Sequence, residues 1–125
     1  MGKTNSKPLI SFSGKKNRLY ISRDVIRLLS NPSHVCLYMT ENYDSIAIGP
    51  CDETNVMSFK VPDKIYDGRK ADFTITSIQF VSDVMRINHM DMDNTYRIIG
   101  QYLEDNHVVT FHFCDALIVT RERAR

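Results

Sequence analysis

Apolar and polar residues alternate along most of the chain, and this period of two marks strands. "LISFS" (9–13) and "RLYIS" (18–22) flank "GKKN" and read as a hairpin, with Ile10 and Phe12 facing Leu19 and Ile21. Gly14 is the residue expected to supply the positive φ of the turn. The period then changes. Val25, Ile26, Leu28 and Leu29 form a helical stripe over residues 23–30, with the Ser22 hydroxyl expected to cap it and Asp24 favourably placed in its first turn. Pro32 ends that helix by disfavouring the α region at Asn31. "HVCLYMT" and "SIAIG" follow as two strands around the polar turn "ENYD", with Val35, Leu37 and Met39 inward and Cys36 and Tyr38 outward.

The second half runs through the same order. "MSFKV" and "DFTIT" read as strands separated by the loop "PDKIYDGRK". "SIQFVSDVMRIN" is a helix over residues 77–87, capped at Thr76 or Ser77, with Ile78, Val81, Val84 or Met85 and Asn88 spaced by threes and fours. "TYRIIGQYL" and "HVVTFHF" close the half as strands, the latter with Val109, Phe111 and Phe113 on one face. With an offset of 55, Ser22 falls on Ser77, Ile26 on Val81 and Leu29 on Val84; with an offset of 54, Leu19 falls on Phe73 and Ile21 on Ile75. The expected fold is therefore a single mainly-β domain over residues 1–125 with two short helices (α+β). Two β-β-α-β-β units, near 9–50 and 57–113, would close one small barrel by exchanging hairpins and so cover their open edges.

Charge sharpens the picture because it is uneven. The 125 residues carry a net charge of only +1. Residues 1–30, however, hold seven basic residues against Asp24 alone, a net of +6; residues 31–119 hold six basic and thirteen acidic, a net of −7; "TRERAR" adds +2. Such a distribution can orient a polyanion on one end of a nearly neutral protein. The three cysteines, Cys36, Cys51 and Cys114, are far apart in sequence and lack a C-x-x-C spacing, so they read as reduced thiols. No apolar run reaches the length of a membrane span, and the first residues lack a secretory apolar stretch; Met-Gly with Ser6 fits a myristoylation motif only weakly. The expectation is a cytoplasmic protein without a membrane partner.

Residues "ISFSGKKNRLYISRDVIRLLSNPSHVCLYMTENYDSIAIGPC" resemble the AbrB type of swapped-hairpin DNA-binding domain, in which a strand, a turn, a Gly-Arg-aliphatic-x-Ile-Pro segment, a short helix and a two-stranded hairpin follow one another. Here "NRLYIS" occupies that segment, with Asn17 in place of the Gly and Ser22 in place of the Pro, and "DVIRLL" the helix. The second unit, "RKADFTIT", lacks the matching Arg. The resemblance implies two interlaced copies, usually as a homodimer, or both in one chain as in MraZ-like proteins. It also implies that duplex DNA is met by the first loop and strand and the start of the helix. Carried to this chain, the contacts would be Lys15, Lys16, Arg18, Arg23 and Arg27, supported by Lys7 ahead of the first strand.

That cluster is also what the charge pattern selects. Lysines at a hairpin tip can reach phosphates and release counterions, and arginines can add bidentate contacts to guanine edges. Catalysis finds little support: there is no phosphate loop, nucleophile elbow or zincin motif. Asp91 and Asp93 beside His89 suit turn formation better than metal binding, and His112 with Cys114 reads as an exposed strand pair rather than a ligand pair. No enzyme activity, metal or cofactor is expected. The competing expectation is a protein-binding inhibitor or adaptor from a phage or mobile element, for example against a host defence nuclease. It draws on six Met, six Tyr and six Phe, with Tyr20, Tyr38 and Tyr43 on outer faces or turns.

Overall fold

A computed structural model describes residues 7–54, 58–62, 73–76 and 78–119. The first hairpin forms as its alternation requires. β1 (Leu9–Ser13) and β2 (Arg18–Ile21) pair antiparallel with Ile10 opposite Ile21 and Phe12 opposite Leu19, and all four side chains are fully buried. Its turn differs from expectation: Asn17, not Gly14, takes the positive φ (51°), while the Asn17 N–H donates to the Gly14 carbonyl at 3.3 Å. Gly14 has another reason to lack a side chain. A Cβ there would stand 2.4 Å from the Met92 carbonyl oxygen.

α1 (Arg23–Leu28) buries Val25 and Ile26, and Leu29 follows them into the core. Ser22 occupies the N-cap position but makes no side-chain cap bond; its Oγ instead accepts from the Leu9 N–H at 3.0 Å, while its own N–H donates to the Leu9 carbonyl at 3.0 Å. The hydroxyl therefore ties the helix start to the first strand rather than to the helix. α1 ends with Ser30 at φ 66°, its N–H on Arg27 O, and the Asn31 N–H on Ile26 O. α2 (Ile78–Ile87) ends the same way, with His89 at φ 57°, its N–H on Arg86 O, and the Met90 N–H on Met85 O. Both are Schellman closures made without glycine.

The remaining strands are β3 (His34–Met39), β4 (Ser45–Cys51), β5 (Phe59–Lys60), β6 (Phe73–Thr76), β7 (Thr95–Ile99), β8 (Gln101–Leu103), β9 (Val108–His112) and β10 (Leu117–Ile118). β5 is shorter than the alternation of "MSFKV" implies, and Met57, the loop 63–72 and Ser77 lie outside the described residues. The strands form two five-stranded antiparallel sheets, ordered β10-β7-β1-β2-β6 and β5-β3-β4-β9-β8. The fold is mainly β with two helices, as expected, and among the described residues the two sheets are not closed into one barrel. The reason lies in "TYRIIGQYL", which is not one strand: it breaks at Gly100, leaving β7 in one sheet and β8 in the other. A Cβ at Gly100 would fall 2.4 Å from Phe111 Cε2, so the chain crosses from sheet to sheet directly over that ring.

The halves of the chain are interleaved. β1 pairs with β7 and β5 with β3, while β2 meets β6 and β4 meets β9. Side chains from both sheets and both helices share one core that includes Phe12, Val35, Ile48, Val81, Val84, Met85, Ile98 and Phe111. Phe12 joins three elements, with its ring 5.5 Å from Phe113 edge-on and 6.4 Å from Phe80 on α2. Cys36 corrects the simple alternation on β3: it shares the outer face with Tyr38, yet is only 1% exposed. No helix among the described residues is long and apolar enough to cross a membrane.

Phe111 contacts the crossing point and is fully buried, so Phe111→Ala should destabilise the fold by roughly 3 to 5 kcal/mol. Urea unfolding of the variant beside wild type checks this, and an unchanged midpoint would contradict the core assignment.

Candidate nucleic-acid interface

Because β1, β2, β6 and β7 each turn one face to the core, their other faces form a continuous outer surface. The register places Leu117, Arg97, Ser11, Tyr20 and Thr74 in one cross-strand row and Thr95, Ser13, Arg18 and Thr76 in the next. Small hydroxyl side chains fill most of the second row (Ser13, Thr76 and Thr95) and two places of the first (Ser11 and Thr74). The surface is therefore low, and it dips into a groove of about 510 Å³ between the hairpin tip and the chain entering β7.

Lys15, Lys16 and Arg18 line this groove from the hairpin, and Tyr20 forms part of its floor. Asp93, Asn94 and Thr95 line the opposite wall, with Val119 at the margin. Three cations face a single carboxylate, that of Asp93, so the groove keeps a positive balance. The wall is held locally: the Asp93 N–H donates to Asp91 Oδ1 at 2.9 Å, the Asn94 N–H to the Asp91 carbonyl at 3.0 Å, and the Asp91 N–H to the Tyr96 hydroxyl at 2.8 Å. On the other wall the Lys16 N–H donates to Ser13 Oγ at 3.4 Å. Asp91 thus serves as the acceptor that shapes the loop.

The structure divides the basic residues singled out from sequence into two groups. Lys15, Lys16 and Arg18 converge at the tip. Lys7 precedes β1 and Arg23 opens α1, both at the end of the hairpin marked by the Leu9–Ser22 bonds, roughly 15 Å of strand away. Arg27 lies on α1 in an exposed ion pair with Asp24 at 3.3 Å. Arg97, absent from the sequence-based set, stands in the same row as Ser11 and Tyr20. Alternation with the inward Tyr96 and Ile98 gives its face, but only the β1–β7 pairing gives its neighbours. Thr74 and Thr95 join the surface for the same topological reason.

Of the other candidates, His112 and Cys114 do not share a strand, because β9 ends at His112 and Cys114 lies in the 3-10 turn Phe113–Asp115 that follows. His112 Nδ1 and Ser45 Oγ lie 2.7 Å apart across β4 and β9, beside a shallow 260 Å³ hollow that also touches Asp44, Asn88 and Cys114. Asp44 is turned away to the Thr40 hydroxyl, which donates to it at 2.6 Å. Among the described residues no three His, Cys, Asp or Glu side chains are grouped to hold a metal ion. Set against known proteins, the chain matches no family model, no curated protein and no solved structure.

The shape of the groove depends on the hairpin tip lying against Met92. Gly14→Ala would drive a methyl group into that backbone, and the expected cost is about 1 to 3 kcal/mol with displacement of Lys15 and Lys16. Thermal unfolding reads the first effect, and amide shifts confined to residues 13–18 and 90–95 read the second.

Proposed function

We propose that this chain binds duplex DNA without catalysis, as a small regulatory protein of the AbrB-like type acting in the cytoplasm, and that the groove at the β1–β2 tip is where the phosphate backbone lies. The convergence of Lys15, Lys16 and Arg18 on one groove floored by hydroxyls and a tyrosine is the observation that carries this reading. Hydroxyls donate to phosphate oxygens, and lysines at a projecting tip approach the backbone without a large desolvation cost. Arg18, on the strand beside Tyr20, is the residue best placed to contribute a base-edge contact. The exchanged pairings of β1 with β7 and β5 with β3 agree with two interlaced β-β-α-β-β units. They support the swapped-hairpin part of the reading.

A protein partner is the second reading. Tyr38 is 49% exposed on the second sheet, and Leu117 and Ile118 are exposed on the edge strand β10 beside Ile99. An inhibitor or adaptor would use surfaces of this kind.

Duplex retardation at several salt concentrations separates the two. Replacing Lys15, Lys16 and Arg18 by Ala together should weaken binding to all duplex sequences and reduce the log-log salt slope by about 0.9 per lost phosphate contact, or twice that in a symmetric dimer. Arg97→Ala should weaken binding less, and Arg27→Ala, whose side chain is engaged by Asp24, should change it least. Negligible retardation by wild type at low salt would remove the DNA reading and leave the protein-binding one.

A further inference from the structure

The three thiols are distant in sequence, yet two of them meet. β3 and β4 pair so that His34 stands opposite Cys51 and Cys36 opposite Gly49, which makes Cys36 and Cys51 diagonal neighbours on the outer face of the second sheet. Their Sγ atoms are 2.8 Å apart, well inside the van der Waals contact of two sulfurs. Both are free thiols. The packing around them explains the approach. Gly49 leaves a gap in the face, and a Cβ placed there would lie 2.9 Å from Val108 Cγ1 and 3.5 Å from the Tyr38 ring. Tyr38 and Val108 thus lie over Gly49, the residue opposite Cys36; Cys36 is buried, while Cys51 at the end of β4 stays half-buried and reachable.

We propose that Cys36 and Cys51 form a reversible dithiol–disulfide couple that clamps β3 to β4 when a small-molecule disulfide supplies the oxidising equivalents. Cys51, as the reachable thiol, loses its proton to solvent and attacks one sulfur of the small disulfide. A mixed disulfide forms at Cys51 and one small thiol leaves with a proton. Cys36 then loses its proton and attacks Cys51 Sγ, forming the intramolecular bond and releasing the second small thiol. The protein dithiol is oxidised by two electrons and the small disulfide is reduced to two thiols. Burial first, and the neighbouring Cys36 thiol second, push the Cys51 thiol up to about 12. Thiolate is therefore scarce at neutral pH, and exchange is slow rather than forbidden.

The test is incubation of the full chain in buffers of graded reduced-to-oxidised glutathione ratio, followed by alkylation in denaturant and peptide mapping. The expected result is paired loss of alkylation at Cys36 and Cys51, a Cys36–Cys51 linked peptide from monomeric protein, and a higher melting temperature for the oxidised form. Cys114, which is exposed, should report the competing route by forming a mixed disulfide, and Cys114→Ser should leave the Cys36–Cys51 link intact. Cys51→Ser should leave Cys36 alkylatable at every ratio. If that variant fails to fold, the wild-type and Cys114→Ser maps decide alone. Cys36 remaining fully alkylatable at ratios that modify Cys114, a mixed disulfide at Cys51 that Cys36 never displaces, or a link running only through Cys114 would each overturn the proposal. None of these readouts depends on DNA binding.

Discussion

The fold depends on the backbone being able to pass over Phe111 at Gly100. That residue has no room for a Cβ, because the Phe111 ring and the Thr110 carbonyl, at 2.7 Å, occupy its place. The Gly100 N–H is also committed, donating to the Pro8 carbonyl at 2.9 Å just before β1. One residue therefore anchors the start of the first sheet while letting the chain leave it for the second. Without this crossing β7 could not lie against β1 and β8 against β9 in the same chain. The groove follows from it directly: Asp93, Asn94 and Thr95 form a wall opposite Lys15 and Lys16 because β7 is registered on β1.

A second constraint is the repeated use of left-handed backbone at residues other than glycine. Three hairpin turns end on such a residue, Asn17, Tyr43 and His107, each donating its N–H to the carbonyl three residues earlier. Asn and His adopt this region more readily than most residues, whereas Tyr is less common there, so its position is held by what surrounds it. His107 Nδ1 meets the Tyr102 hydroxyl at 2.7 Å, and the Tyr43 carbonyl accepts from Asn88 Nδ2 at 2.8 Å. Hence the turns belong to the tertiary structure as much as to local sequence. The helix ends at Ser30 and His89 show the same habit.

This explains which parts of the fold were legible in the sequence. The pairing of Ile10 and Phe12 with Leu19 and Ile21, the stripe of α1 and the inward Val81, Val84 and Met85 of α2 follow from period alone, since each needs only one face to be apolar. The division into two sheets did not, because nothing local to "RIIGQYL" distinguishes a crossing glycine from a weak point in a strand. Ser22 misled for a related reason: a serine before a helix usually caps it, but here the Leu9 amide competed successfully for the hydroxyl. Alternation gave Cys36 its outer face correctly but not its burial there, opposite Gly49, over which Tyr38 and Val108 lie. For the candidate site, the tip lysines and Arg18 were visible as charge, whereas Arg97 and the Asp93 wall became neighbours only through strand order.

The charge pattern acquires a physical meaning once strand order is known. Basic residues of the first hairpin occupy one margin of the first sheet's outer surface, while the carboxylates of the remaining chain are spread over loops such as 41–44, 52–53 and 104–105. An anion at the groove would meet Lys15, Lys16 and Arg18 with a single opposing carboxylate. At the ionic strength of a cell the screening length is about 8 Å, so the carboxylates on distant loops are largely screened from the groove. A net charge near zero therefore weakens long-range attraction of anions while leaving the local positive balance of the groove intact. Asp93, lining the groove with the tip cations, offsets part of their mutual repulsion, and an anion entering the groove would have to compete with it. An anion held at this groove would owe its attraction to Lys15, Lys16 and Arg18, and that attraction would weaken as salt rises.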